Sequence, residues 1–376
     1  MRQRFFATCG RGIEPILAQE LIGIGVKAVR PGRGGVEFEG DLELLYRANL
    51  SLRTAIRVLR PVLQATVRSP DELYDAVRSV DWSRYLTPDH TIAVDCNVRD
   101  SALTHSKYAA LKTKDAICDQ FVDRFGRRPN VDVIDPMIPL NLHIYRNEAI
   151  LSLDSSGPSL HKRGYRPVLT KAPLNEALAA ALILSTGWRG NCPFIDPMCG
   201  SGTLPIEAAW IALNRPPGLT RRRFGFQGWL DHDIQLWTRI RDEARTAMHK
   251  HPPTLFAGSD IRPDVVEQAQ RNAKAAGVGH VIQFSVMDIK DFCPPPGPSG
   301  VLFCNPPYGA RLGKAKEDLP ELYRRLGDAL RRCSGWTAWL FVGNSTLLRH
   351  LRLQPTSETP FFNGKIHCKL IRFDIR

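Results

Sequence analysis

No apolar run in this chain approaches the roughly 18 residues of a membrane-spanning helix, so no helical span through a bilayer is expected. The apolar stretch near the start, Phe5-Phe6-Ala7, is too short for the core of a secretory signal. Nine cysteines stand singly from Cys9 to Cys368, and none forms a Cys-x-x-Cys pair. That scatter argues against a disulfide framework and a zinc site, and for reduced thiols in a cytoplasmic protein. His249-Lys250-His251 has no cysteine or acidic partner at ligand spacing, so no metal is expected. Internal repeats are absent, and the one biased segment, Pro294-Pro295-Pro296-Gly297-Pro298, reads as a loop.

What is present is basic. The 376 residues carry 51 Lys and Arg against 38 Asp and Glu, a formal charge of +13. Residues 1–165 hold 23 basic and 20 acidic side chains, so 28 and 18 fall in residues 166–376. An excess of this size favours a polyanionic partner, and most of it lies in the second part. The hydrophobic fraction of 43% belongs to a soluble globular protein. The length suggests two or three domains.

The element pattern divides the chain. Strand-like Phe5–Thr8, helical Ile13–Leu21, strand-like Gly35–Phe38, helical Leu42–Leu50 and strand-like Arg57–Val67 form a β-α-β-α-β unit over residues 1–66. A second α+β unit, residues 67–160, follows. Its elements are a helix Pro70–Val80, a strand Thr91–Cys96, a helix Ser106–Phe125, and strands near Val131–Ile134, Leu140–Tyr145 and Ala149–Asp154. His161–Pro167 reads as a basic linker. From Asn175 strands and helices alternate: helix Asn175–Ser185, strand Pro193–Ile195, helix Thr203–Ala212, strand Leu255–Gly258, helix Asp264–Ala276 and strand Val281–Val286. Strand Val301–Cys304, helix Leu319–Cys333 and strands Thr337–Val342 and Lys365–Asp374 complete residues 161–376. That alternation predicts a doubly wound α/β domain with a mostly parallel sheet.

The most informative stretch is Val301-Leu302-Phe303-Cys304-Asn305-Pro306-Pro307-Tyr308-Gly309. A buried strand ends at an asparagine held extended by the proline after it, and each proline fixes φ and removes a donor. The corner therefore offers carbonyl acceptors and one flat ring, which suit an amino group on a planar heterocycle. As ordinary turn punctuation, the same residues would have no such role.

A second feature is Asp196-Pro197-Met198-Cys199-Gly200-Ser201-Gly202-Thr203, between a strand and a helix. In an open α/β sheet the first such turn is where nucleotide-like ligands bind. No P-loop Lys-Ser/Thr follows this turn, and its spacing is not Gly-x-Gly-x-x-Gly, so ATP and NAD are disfavoured. Asp260 and Asp288 close the next two strands. A carboxylate at the second strand end suits ribose hydroxyls, and one at the third can accept from an exocyclic amine. Any one of these aspartates is more often a helix cap. Four successive strand ends carrying Asp196, Asp260, Asp288 and Asn305 describe an adenosyl, amino-acid-bearing ligand, and S-adenosylmethionine fits.

With these motifs in place, the chain resembles the class I S-adenosylmethionine-dependent RNA methyltransferases that carry a ferredoxin-like unit and a THUMP domain in front. Within them it is most similar to the bacterial 23S ribosomal RNA guanine-N2 group. The resemblance spans nearly the whole chain. It is most specific at Asp196–Thr203 and at Asn305–Gly313, and Asn363-Gly364-Lys365-Ile366 also matches. It implies a Rossmann-like seven-stranded domain over residues 161–376, behind a ferredoxin-like unit (1–66) and a THUMP domain (67–160). It further implies that Lys171–Glu176 borders the methionine end of S-adenosylmethionine. Cofactor contacts are expected from Asn175, Glu176, Asp196, Pro197, Cys199, Gly200, Gly202, Thr203, Asp260, Ile261, Asp288, Ile289 and Asn305. The further C-terminal methyltransferase domain that some of the family fuse on is not expected here.

The implied chemistry is direct displacement at the sulfonium methyl, without a metal or covalent intermediate. Asn305 and the Pro306 carbonyl would accept the two amine hydrogens, and Tyr308 would stack on an unpaired base. RNA contacts are expected from Lys107 and Lys112 on the long helix, from Arg221-Arg222-Arg223 next to Phe224 and Phe226, and from Tyr308 and Arg311. The bland readings are a solvated helix face and a solvated loop with two core phenylalanines. RNA is the expected partner; no membrane or obligate protein partner is evident. A tRNA guanine-N2 methyltransferase, a DNA or glutamine amino-methyltransferase and a non-catalytic RNA-binding assembly factor are the other readings. Loss of Asp196, Gly200 or Gly202 would have pointed to the last.

Overall fold

The computed structural model describes residues 2–166, 174–252, 254–308 and 319–376. The chain forms two compact units. The first contains Met1–Cys9, Ala18–Leu160 and Arg221–Asp242; the second contains Gly10–Leu17, His161–Thr220 and Glu243–Arg376.

The first unit is built on one eight-stranded sheet. Its strands are β1 (Gln3–Cys9), β2 (Val29–Gly32), β3 (Gly35–Gly40), β4 (Ala55–Thr66), β5 (Thr91–Arg99), β6 (Asn130–Val131), β7 (Ile138–Tyr145) and β8 (Glu148–Asp154), in the order β2-β3-β1-β4-β8-β7-β5-β6. The expected 1–66 and 67–160 units are thus joined edge to edge. At 12 residues, β4 is long enough to pair with β1 (Phe6 opposite Leu59) and with β8 (Thr66 opposite Glu148). Side chains lock this join: the Arg57 guanidinium meets the buried Asp154 carboxylate and donates to the Gly157 carbonyl at 2.7 Å. Pattern reading saw both strands but not their pairing, because pairing depends on residues about 90 positions apart.

Two helices here start where short polar side chains cap them. Asp41 accepts from the Leu44 N–H at 3.0 Å at the start of α2 (Leu42–Ser51), which follows α1 (Glu14–Gly23). Ser69 caps α3 (Pro70–Arg78), whose first residue is proline. Helix α4 (Ser106–Phe125) ends at Gly126, whose φ of +69° stops it in the left-handed conformation.

Residues Arg221–Asp242 differ from expectation. The sequence pattern places them inside the 161–376 domain, but they group with the first unit. Phe224 and Phe226 are buried, stacked at 5.3 Å, and Phe226 lies 4.4 Å from the Tyr46 ring. Aromatic burial of this kind outweighs sequence proximity, since each ring removes 150–250 Å2, as an order of magnitude, from water.

The second unit holds a seven-stranded sheet. Its strands are β9 (Phe194–Asp196), β10 (Phe256–Asp260), β11 (Ile282–Val286), β12 (Val301–Cys304), β13 (Thr337–Val342), β14 (Ser357–Asn363) and β15 (Ile366–Asp374). They run in the order β11-β10-β9-β12-β13-β15-β14, with β11 to β13 parallel and the β14–β15 hairpin antiparallel. Helices α5 (Glu176–Ser185), α6 (Thr203–Ala212), α8 (Pro263–Ala275) and α9 (Leu319–Arg331) belong to this unit, whereas most of α7 (Ile234–Thr246) groups with the first. Leu326 and Leu330 of α9 bury against Leu302, Leu340 and Ile371 from three neighbouring strands. The strand order reverses between β9 and β12, and ligands bind at such a switch point, outside the carboxyl ends of the strands.

Three elements had no sequence signal strong enough to find. Strand β2 is a short edge strand containing Pro31, and β14 is an edge strand containing Pro360. Helix α7 buries only Trp237 and Ile240, so its apolar stripe is thin.

Candidate active site

The turn after β9 is held by backbone bonds to β10. Cys199 N–H donates to the Ser259 carbonyl at 2.8 Å, and Gly200 N–H donates to Asp260 Oδ2 at 3.1 Å. Asn272 on α8 adds a bond to the Ser201 carbonyl at 2.9 Å. Gly202 has φ +81°, and a Cβ there would come within 3.0 Å of the Ala269 side chain, so glycine is required twice over. The other oxygen of Asp260 accepts from the Arg262 N–H at 3.1 Å. Both carboxylate oxygens therefore anchor backbone and keep further lone pairs for a ligand.

This turn, the first turn of α8 and Asn305 line a cavity of about 480 Å3. Asp196, Cys199, Gly200, Thr203, Asp260 and Asn305 were read from the sequence and are brought together there. Asp196 is 2% exposed and accepts from the Met198 N–H at 3.1 Å. Burial pushes its carboxyl well above the usual range; the Asp260 charge adds to this and the Met198 N–H opposes it. A cation in the cavity would relieve both raising effects. The thiol of Cys199 is likewise raised, first by burial and then by Asp196 and Asp260, which makes it an inert wall.

Asn305 follows β12 at the opposite lip. Its Oδ1 is buried, and no hydrogen-bond donor among the described residues reaches it. A buried acceptor left this way costs about 1–3 kcal/mol, so the atom is poised to accept from a ligand. Pro306 behind it is buried. Tyr308 is half-buried rather than a free platform. Asn363 Nδ2 donates to its Oη at 3.1 Å, and its ring lies against Gly343.

Several expected cofactor contacts do not line the cavity. Asp288 caps its own turn, accepting from the Lys290 N–H at 3.1 Å, and Ile289 is buried in the apolar core. Pro197 accepts from Ser259 Oγ at 3.3 Å through its carbonyl, and Ile261 is exposed. Asn175 caps α5 by accepting from the Leu178 N–H at 3.1 Å. Glu176 pairs with Arg166 at 3.5 Å, both side chains nearly buried. Arg166 also donates to the Leu174 carbonyl at 2.9 Å and to the Thr203 hydroxyl. Leu174 and Thr203 are wall residues, so Asn175 and Glu176 shape the cavity from behind. Leu174, within the Lys171–Glu176 stretch expected to border the site, is a wall residue, and the wall residues missed in the sequence include Arg262, Asp264 and Gln268. The helix start after Asp260 was their one available signal.

The residues expected to meet RNA are placed unevenly. Lys107 and Arg222 are exposed. Lys112 reaches Asp71 at 3.2 Å and lies over the Tyr74 ring. Arg221 donates to the carbonyls of Ser159 at 3.0 Å, Ser156 at 3.1 Å and Pro158. Arg223 donates to the Pro136 carbonyl at 3.3 Å and pairs with Asp135 at 3.4 Å. With Phe224 and Phe226 buried, the basic-aromatic stretch is largely a clasp within the first unit rather than an open platform. Arg311, Gly309 and Lys171–Pro173 lie outside the described residues.

Comparison with known proteins agrees with this geometry. A family model described as RMKL-like, methyltransferase domain, matches residues 163–372; a THUMP domain matches 67–154 and an RlmL ferredoxin-like domain 4–59. The chain is 44% identical over 383 residues to the ribosomal RNA large subunit methyltransferase K/L of Syntrophotalea carbinolica, covering 99% of this chain and 53% of that protein. It thus spans about half the length of that relative. It is 41% identical to a Synechocystis protein named "Putative RNA methyltransferase slr0064", covering 99% of this chain and 96% of the other. The crystal structure of SMU.472, titled "a putative methyltransferase complexed with SAH", superposes with a TM-score of 0.91 at 30% identity, covering 100% of this chain and 98% of that one. The chain is a member of the RMKL-like methyltransferase family, with RlmL ferredoxin-like and THUMP domains ahead of the RMKL-like one.

Proposed function

We propose that the protein transfers a methyl group from S-adenosylmethionine to the exocyclic N2 of a guanine in 23S ribosomal RNA. The observation that carries this reading is Asn305 Oδ1, a buried acceptor that no donor among the described residues reaches, beside a cavity also lined by the raised carboxyl of Asp196. At about 480 Å3 the cavity lies within the ~300–1,000 Å3 range of small-molecule sites.

S-adenosylmethionine, when bound, supplies an electrophilic methyl on sulfur. Asp196 would face its ammonium, where the positive charge offsets the cost of burying a carboxylate. Asp260 would accept from the ribose hydroxyls with the lone pairs left by Gly200 and Arg262. Asn305 Oδ1 and the Pro306 carbonyl accept the two hydrogens of the target amine. That orients its lone pair and stabilises positive charge as it develops. Two prolines hold both acceptors on rigid backbone, so no reorganisation is needed during reaction. The part of the Tyr308 ring that Gly343 does not cover meets a base taken out of its stack. Asn305 is neutral, so the proton leaves to water after transfer.

The relatives named for large-subunit ribosomal RNA support that substrate, and the THUMP match supports RNA in general. The test is methyl transfer from labelled S-adenosylmethionine to unmodified 23S RNA and to tRNA, with nuclease digestion and mass analysis. N2-methylguanosine in 23S RNA is the expected product. Methylated tRNA alone would move the substrate, whereas N6-methyladenosine or no RNA product would overturn the reading.

A further inference from the structure

Tyr308 leaves a corner whose backbone is stiffened by Pro306 and Pro307, but prolines fix backbone angles only and leave the ring free to rotate. Two other strand ends restrict it. Gly343 follows β13, and a Cβ placed there would come 2.6 Å from Cε2 and 2.7 Å from Cδ2 of Tyr308. No side chain larger than hydrogen fits between ring and backbone. Asn363, the last residue of β14, donates from Nδ2 to Tyr308 Oη at 3.1 Å. Asn363 is itself held by pairing with Ile366 across a tight turn in which Gly364 has φ +62°.

Resting on the function proposed above, we infer that Asn363 and Gly343 are positioning residues for methyl transfer, acting through Tyr308. Asn363 sets the direction of the phenol, and Gly343 sets the plane in which the ring lies. Together they place the ring at a constant height beside the Asn305 acceptor, so that a base resting on it presents its amine at one angle. Neither residue touches the donor cavity. Their effect therefore falls on the nucleic-acid side of the reaction alone. A purely structural tyrosine anchor would instead show itself as lost stability and lost donor binding together.

The test is a double-mutant cycle in the full-length protein. Asn363→Ala and Tyr308→Phe each remove one end of the bond; each should lower kcat/KM for RNA about fivefold to tenfold, and the double variant should lose little more than either alone. S-adenosylhomocysteine affinity and Tm should remain those of the parent in Asn363→Ala, and Asn363→Gln should recover part of the loss. Gly343→Ala should raise KM for RNA without changing S-adenosylhomocysteine affinity. A readout independent of turnover is the fluorine NMR signal of Tyr308 in fluorotyrosine-labelled protein, assigned by its absence in Tyr308→Phe; Asn363→Ala should shift or broaden it. Additive losses, an unchanged signal, or unchanged kcat/KM in Asn363→Ala overturns the inference. A signal change in Asn363→Ala together with a parent protein that methylates no RNA overturns the functional reading and leaves the ring clamp standing.

Discussion

Asp260 Oδ2 accepts the N–H of Gly200 at 3.1 Å, tying the end of β10 to the glycine turn after β9. One carboxylate thereby shapes the backbone of the cavity and faces its interior. Asp260→Ala should raise the dissociation constant for S-adenosylhomocysteine about tenfold to a hundredfold, the worth of one or two hydrogen bonds to a charged group. Asp260→Asn retains an acceptor and should lose less. Titration calorimetry on both variants measures the difference; equal affinity in Asp260→Ala and the parent would remove Asp260 from the site.

Asp196 gives the site a pH dependence of definite sign. Its folded pKa lies above its unfolded one, so between the two the empty protein holds more protons than the unfolded chain. Stability of the empty protein should fall as pH rises through that window. A ligand ammonium favours the ionised form, so S-adenosylhomocysteine affinity should rise with pH over the same window. Calorimetry over a pH series rising from the ordinary carboxyl range checks this, with Asp196→Asn expected to bind weakly and without the pH slope.

Asn305 offers the sharpest separation of binding from chemistry. Asn305→Ala should reduce methyl transfer by at least about a hundredfold, as loss of one preorganised group at a reacting centre does. S-adenosylhomocysteine affinity should stay within about twofold of the parent if, as proposed, this oxygen serves the target amine and not the donor. A large loss of donor affinity would move Asn305 from substrate recognition to cofactor holding.

Arg221 should behave as a structural residue. Its guanidinium satisfies the carbonyls of Ser156, Pro158 and Ser159. Arg221→Ala should cost about 1–3 kcal/mol of stability by leaving those groups unpaired. Arg222→Ala, at an exposed neighbour, should leave Tm unchanged and weaken RNA binding modestly, with a shallower salt dependence. Thermal melts and salt-dependent gel shifts distinguish the two.

The local signals were strong wherever one stretch of chain settles its own structure. Thr203–Ala212, Val301–Cys304, Thr337–Val342 and Ser106–Phe125 have the expected bounds, because burial pattern, caps and prolines are all encoded within a few residues. The cavity was legible for Asp196, Cys199, Gly200, Thr203, Asp260 and Asn305, since strand ends in an α/β sheet converge on one edge. Asp288 does not line this cavity; a strand-end aspartate can cap its own turn as readily as face a ligand, and here its carboxylate accepts the Lys290 N–H.

The sequence by itself determined the two element patterns, the glycine turn and the stiff Asn305-Pro306-Pro307 corner, because torsional restriction and side-chain capping act over a few residues. Only the tertiary structure decided which partners those pieces meet. It joined β4 to β8 in one sheet and drew Phe224 and Phe226 into the first unit. It also brought Asn363 and Gly343, 55 and 35 positions beyond Tyr308, against one ring. Such contacts follow from the burial of apolar area and the pairing of polar groups across long loops, and neither leaves a mark in local sequence.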